Sequence, residues 1–443
     1  MRGFFAGLKQ VRRYPSLAVG MVIVLAFVVV ATYAVIAIPP AEAARLWTRP
    51  GVAWQENPRT AGPVWLDLFT RDKLPRTVVV SSTNGGVRHE QPLGDEMKLI
   101  QITLPFRYDY DGFPSELNLF TNSSAPIPIS VSWRTPDGRE LTIAEARYIR
   151  AAPDTYYISQ DSKLYKLLGD RLPHYGLFAD PQDMGKPLKG NYEIKLIAEI
   201  PRDGDLSAKL VVYGRIHGLA GTDHLRRDIS VALLWGAVIA MIFGLLAAVG
   251  TTVLTYFLAA TGTWLGGKVD RTFQWITQVN LIIPLLPVLI MFGHLYDRSI
   301  WTMLGLVIAL NIFAAGMVTY RAMFLQAKEA PYIEAAQAYG ARNWRIIFRY
   351  LMPRLAPTLL PEFVLVVPSF VFLEATLSLL GLGDPNLPTW GKVLEDAYRQ
   401  GALYHGHYYW ILEPAILLVL VGVGFSLIGY SLDRIFNPKL RTV

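Results

Sequence analysis

Apolar positions follow two rhythms along this chain. Residues 16–38 are apolar without a break, long enough for a helix to cross a bilayer. Five later runs, 229–258, 273–293, 300–320, 355–380 and 409–432, have the same character, and Pro284 and Pro287 predict a kink in the second of these. Between the first run and the rest the rhythm shortens. Segments 77–82, 98–104, 117–121, 127–133, 192–200 and 208–216 read as strands. Turn signals separate them at Asn84-Gly85-Gly86, Pro136-Asp137-Gly138 and Arg202-Asp203-Gly204-Asp205. A short helix is expected within 148–168. The pattern predicts an α-helical polytopic membrane protein of six spans. An antiparallel β-sandwich of about 170 residues is inserted between spans one and two. The boundaries fall at 1–44, 45–220 and 221–443. The first run has a rival reading as a cleaved signal peptide, because Ala41-Glu42-Ala43 resembles a cleavage site. Its length favours an uncleaved anchor.

Charge adds a direction. The net charge is +7, yet residues 45–225 carry 22 basic and 22 acidic side chains, so the excess lies in the apolar-rich remainder. Segments 1–15, 259–272, 321–354 and 433–443 hold 15 Lys and Arg, against three in the short loops near Arg298 and over 381–407. The asymmetry places both termini in the cytoplasm and residues 45–220 outside the membrane on the other side. No basic stripe with interleaved aromatics points to nucleic acid. The chain has no cysteine, which excludes thiol catalysis, disulfides and thiolate metal sites.

Against this background residues 328–357 stand out as a polar, basic island between apolar runs. Glu329, Glu334, Arg342, Arg345, Arg349 and Arg354 are too costly for hydrocarbon. Pro331 suits a first helical turn and Gly340 is placed to end that helix. Trp344, Ile347, Phe348 and Leu351 then repeat at helical spacing, and Pro353 is expected to stop this second helix. Two short helices joined at a glycine and held at a membrane surface are the expected form of a docking element.

Other constellations are weaker. Residues 262–269, GTWLGGKV, match a phosphate-binding loop except that Val269 stands where Ser or Thr must hold magnesium, and an apolar helix precedes where a strand is needed. Neither catalytic nor metal-binding residues are expected. His405 and His407 could hold a metal, but Tyr404, Tyr408, Tyr409 and Trp410 around them fit an interfacial aromatic belt. Glu362 and Glu374 lie inside an apolar run, where ionisable groups face a bundle interior or a water-filled path. Glu374 has two open readings, a pathway group or an acceptor of hydrogen bonds from the loop that follows. Asn311, Gln274, Gln278 and Asn280 are polar glue by default. The β domain reads equally as a rigid spacer or as a surface that docks a binding protein or touches substrate.

The polar island carries a resemblance. Glu334-Ala335-Ala336, Gly340, Ile346-Ile347 and Leu351-Met352-Pro353 resemble the EAA loop of ABC-importer permease subunits. Residues 374–383, EATLSLLGLG, followed by Pro385, Pro388 and Trp390-Gly391, look like the second, C-type permease of dipeptide, oligopeptide and nickel importers. Gly221-Thr222-Asp223 with Arg227-Asp228 is a third match; there the family has glycine before the Arg-Asp pair and this chain has Arg226. The resemblance implies a type I ABC-importer permease core working by alternating access. Glu334, Ala335, Ala336 and Gly340 would couple it to ATPase subunits, and Glu374, Ser378, Glu362 and Asn311 are candidates for a path or gate. It implies these partners: a second homologous permease, two ABC ATPase subunits, an extracytoplasmic substrate-binding protein and the lipid bilayer. ATP and Mg would sit on the ATPases, with no cofactor on this chain, in the bacterial inner membrane. Peptides are the implied cargo, with nickel and oligosaccharides as alternatives. Outside the family two readings remain, a membrane-anchored extracytoplasmic enzyme or binding protein and an ATP-independent channel or receptor. The β domain lies outside the resemblance.

Overall fold

The structure, a computed structural model, describes Tyr14 to Phe436 apart from Pro50 and Val52. The basic residues of segment 1–13 and of 437–443 that set the expected topology therefore lie outside the described residues. The chain divides into two compact units, Arg49–Ser230 and the helices on either side of it.

Helices α1 (Pro15–Ala37) and α2 (Pro40–Thr48) come first. Nine strands follow: β1 (Val78–Ser81), β2 (Val87–Leu93), β3 (Met97–Tyr108), β4 (Glu116–Ser123), β5 (Ile127–Arg134), β6 (Glu140–Ile149), β7 (Pro153–Tyr157), β8 (Gly190–Pro201) and β9 (Leu206–Tyr213). Helix α3 (Ser162–Leu167) sits between β7 and β8, inside the segment expected to hold one. The strands form two antiparallel sheets, ordered β1-β9-β4-β7 and β2-β3-β8-β5-β6. One core joins them: Leu117, Leu119, Leu210 and Val212 of the first sheet meet Ile100, Ile102, Val131 and Leu196 of the second. Strand β5 alternates buried and open residues as a half-buried strand must.

All six expected strands are present. Strands β2, β6 and β7 are additional, and each is the last strand of its sheet. An edge strand buries little, so its sequence lacks apolar alternation; β2, VRHEQPL, has no buried residue.

The helical unit continues with α4 (Ile229–Leu265), α5 (Gly267–Ile282), α6 (Leu285–Leu295), α7 (Ile300–Asn311), α8 (Ala315–Lys328), α9 (Pro331–Ala338), α10 (Asn343–Ile346), α11 (Met352–Leu377), α12 (Trp390–Arg399) and α13 (Tyr409–Phe436). Among the described residues four helices are long and apolar enough to cross a membrane: α1, α4, Asn343–Leu382 and α13. Two further apolar stretches are bent pairs. Helices α5 and α6 meet at 82°, and α7 and α8 at 44°.

Three sequence expectations change here. The run 273–293 is not one kinked helix. Ile283 precedes Pro284 and is extended, as the ring of a following proline demands, so α5 stops and α6 restarts. The run 300–320 breaks at Ile312–Ala314 with no proline or glycine there; Asn280 reaches across and donates to the carbonyls of Leu310 (2.8 Å) and Phe313 (3.3 Å). Pro353 does not stop its helix. Ile347–Leu351 is a π-turn in which the Met352 N–H reaches back to the Ile347 carbonyl, and this wider turn accommodates the proline ring within one helix, Asn343–Leu382.

Helix α1 packs along α13. Ser16 Oγ lies 3.0 Å from Ser431 Oγ, and a Cβ at Gly20 would meet the Gly424 carbonyl at 2.7 Å. Small residues permit this close approach between apolar helices.

Candidate functional site

The polar island folds as two short helices joined at a glycine. Pro331 begins α9, where its missing N–H costs nothing. The helix ends in a Schellman motif: the Gly340 N–H donates to Gln337 O (2.8 Å) and the Ala341 N–H to Ala336 O (3.0 Å). Gly340 has φ +73°, a conformation glycine adopts without strain.

Helix α9 divides its residues between two surroundings. Ile333 and Ala336 are buried, whereas Glu334, Ala335 and Gly340 are exposed. Ile333 joins Ile346, Ile347 and Leu351 in a core with Tyr256, Ala259, Ala260 and Trp264 of α4 and Met317, Tyr320 and Phe324 of α8. Polar straps reinforce that core. Trp264 Nε1 donates to Asn343 Oδ1 (3.1 Å), the Tyr256 hydroxyl to Met352 O (2.7 Å), and Lys328 Nζ to Thr263 O (3.1 Å). A push on α9 would therefore reach α4 and α8 through packed side chains.

A further strap joins two residues that no sequence pattern pairs. Arg321 of α8 grips Asp270 of α5 with two parallel bonds of 2.8 Å, and Gln274 adds a third to Asp270 at 2.7 Å. Two-pronged Arg–carboxylate bonding fixes geometry as well as charge.

Glu374 is the second focus. Its carboxylate accepts from the Ser378 hydroxyl (2.8 Å) and from Thr389, and all three residues are buried. Thr389 caps α12 by accepting the Lys392 N–H (3.1 Å). Just after Glu374 the helix widens into a second π-turn, Ser378–Leu382, with Gly381 at φ +83°. Gly391 packs so closely that a Cβ there would lie 2.5 Å from Ser378 Cβ. Glu374 thus accepts hydrogen bonds from the loop that follows, one of its two sequence readings.

The other path candidates have different partners. Glu362 is half-buried and bonds the Tyr320 hydroxyl. Asn311 donates to Val307 O of its own helix (2.8 Å) and, with Asn280, lines a cavity of about 140 Å³. Of the four, only Glu374 and Ser378 are brought together.

Gly262 lies inside α4, and Gly266 and Gly267 make the left-handed joint between α4 and α5, so the phosphate-loop spacing falls on a helix–helix corner. His405 and His407 have ring centres 6.3 Å apart. Burial and then the neighbouring His405 hold His407 below the usual histidine range. Among the described residues no group of three or more His, Asp or Glu could hold a metal ion.

Residues 251–442 match the family described as binding-protein-dependent transport system inner membrane component. The dipeptide transport system permease protein DppC of Bacillus subtilis (strain 168) is 30% identical over 224 residues, covering 50% of this chain and 68% of that protein. The oligopeptide transport system permease protein OppC of the same organism is 31% identical over 227 residues, covering 50% and 72%. The glutathione transport system permease protein GsiD of Pectobacterium atrosepticum is 28% identical over 230 residues, covering 50% and 73%. The β unit lies outside the family match.

Proposed function

We infer the function from one premise: the chain belongs to the binding-protein-dependent transport system inner membrane components, the permease subunits of ABC importers. It is a permease of the C type, and its cargo is peptide, in keeping with the dipeptide, oligopeptide and glutathione permeases it resembles. A second homologous permease completes the pore. Two ABC ATPase subunits bind and hydrolyse ATP with Mg, and an extracytoplasmic binding protein delivers the cargo. Each bent pair counts as one span in this reading, giving six. Both termini and the α9 loop face the cytoplasm, and the β unit faces the other side of the bacterial inner membrane.

The observation that carries the coupling is the division of α9. Glu334 and Ala335 are exposed to a partner, while Ala336 is buried and Ile333 is plugged into the core of α4 and α8. Closure of the ATPases on ATP moves α9, and that core passes the movement to the spans. ATP must favour the outward-facing state for the cycle to import, because a ligand shifts an equilibrium only by its differential affinity. Glu374, Ser378 and the α12 loop form the outer gate in this scheme, and Glu362 and Asn311 lie along the path.

The test is a reconstituted importer. Glu334→Lys should abolish peptide-stimulated ATP hydrolysis while the chain still inserts and unfolds at an unchanged temperature. Full stimulation by that variant would sink the coupling assignment.

A further inference from the structure

A cleft of about 960 Å³ opens in the β unit, and nothing in the transport cycle above uses it. Residues 142–147 of β6 form one wall, residues 155–157 of β7 the other, and α3 closes an end. Strand β6 is the last strand of the five-stranded sheet and β7 the last of the four-stranded one. Among the described residues neither pairs with a strand on its outer side, so each edge keeps main-chain donors and acceptors outside any ladder, Ile143 O excepted, which accepts from the Tyr156 hydroxyl.

The walls are held apart at a fixed spacing. The Tyr156 hydroxyl bonds Ile143 O (3.1 Å) and Asp161 Oδ2 (2.6 Å), tying β7 to β6 and to the start of α3. Arg147 of β6 pairs with Asp154 of β7 (3.3 Å) and stacks 4.5 Å over the Tyr156 ring. Irregular backbone limits how far a foreign strand could extend. The β5–β6 ladder shifts register around Val131, Ala146 has φ +49°, and β7 begins at Pro153. Exposed Glu145 and Lys163 also line the cleft, and neither forms a salt bridge among the described residues. Tyr157 and Leu167 offer open apolar surface at its rim.

We propose that this cleft binds a short, free peptide in extended conformation, its main chain adding to the edge of β6 and its terminal charges meeting Glu145 and Lys163. The cleft size falls within the roughly 300–1,000 Å³ of small-ligand sites, which suits a few residues of chain rather than a folded partner. Main-chain pairing gives affinity with little demand on side chains, as a receptor for peptides of varied sequence requires. The choice of peptide as ligand rests on the cargo proposed above; the free edges do not.

The test uses the full chain in nanodiscs, without ATPase or binding protein, and tetra-alanine as the probe. Amide hydrogen exchange should slow at 142–147 on addition of the peptide. Tetra-alanine methylated on its backbone nitrogens should lose binding at least tenfold, and Lys163→Glu should weaken the unmodified peptide about two- to fivefold, the range of an exposed ion pair. No protection of β6, or equal binding of the methylated peptide, would overturn the proposal even if the reconstituted importer takes up peptide. Protection of β6 with no uptake of any peptide would instead overturn the cargo and leave the cleft standing.

Discussion

The indole of Trp390 occupies the space that a side chain at Gly236 would need. A Cβ added there would lie 2.2 Å from Trp390 Cδ1 and 2.4 Å from Nε1. One turn earlier, Leu233 O accepts the indole N–H at 2.9 Å. Helix α12 is thereby locked to α4, while Gly391 locks it to α11. Gly236→Ala must push the indole out of its seat. It should cost about 1–3 kcal/mol, the range for overpacking a filled core. The measurement is the unfolding temperature of the detergent-solubilised chain, and an unchanged value would contradict the contact.

Glu374 makes a separable prediction, because its hydrogen bonds and its charge can be removed independently. Glu374→Gln keeps an acceptor for Ser378 and Thr389 and should leave stability nearly intact. Glu374→Leu strands both hydroxyls, at about 1–3 kcal/mol for each buried group left unpaired. Adding Ser378→Ala to Glu374→Leu should recover part of the loss, since the two residues share one bond. Strict additivity in the double-mutant cycle would mean that bond contributes nothing.

Arg226 holds φ +68°, where glycine would be unstrained. The side chain compensates: its guanidinium donates to Asn57 O (2.6 Å), pairs with Glu116 and stacks 4.0 Å over the Tyr213 ring. Arg226→Ala keeps the strain and loses the contacts, whereas Arg226→Gly loses both. Stability should therefore fall in the order Arg, Gly, Ala, with the last two separated by about 1–3 kcal/mol of backbone strain. Chemical denaturation of the two variants side by side checks the order.

The parts legible in the sequence are those whose cause is local. Strand β5 alternates because one face is buried, and the polar island is visible because charge cannot sit in lipid. The parts that were not legible depend on distant residues. The break at Ile312–Ala314 is satisfied by Asn280, and the strap at Asp270 comes from Arg321, 51 residues away. Pro353 looked like a stop because proline usually is one; the preceding π-turn that admits it has no signature of its own in the sequence. At Arg226 the departure from the family glycine was visible, but its compensation lay on a strand more than a hundred residues earlier.

Gly340 allows backbone geometry to be separated from close packing in the proposed coupling loop. Nothing lies within 4 Å of a Cβ built on it, so within this chain a side chain costs only the strain of φ +73°. Asn visits that region more readily than Ala, because its short polar side chain bonds locally, so Gly340→Asn should be nearly neutral and Gly340→Ala should cost about 1–2 kcal/mol. Gly340→Pro cannot adopt a positive φ and also removes the N–H that closes α9 onto Gln337 O. If the glycine serves only to turn the chain, peptide-stimulated ATP hydrolysis in the reconstituted importer should fall in the order Gly, Asn, Ala, Pro. If instead a partner surface packs against it, the larger Asn should be worse than Ala. Reversal of those two would assign Gly340 to the contact itself.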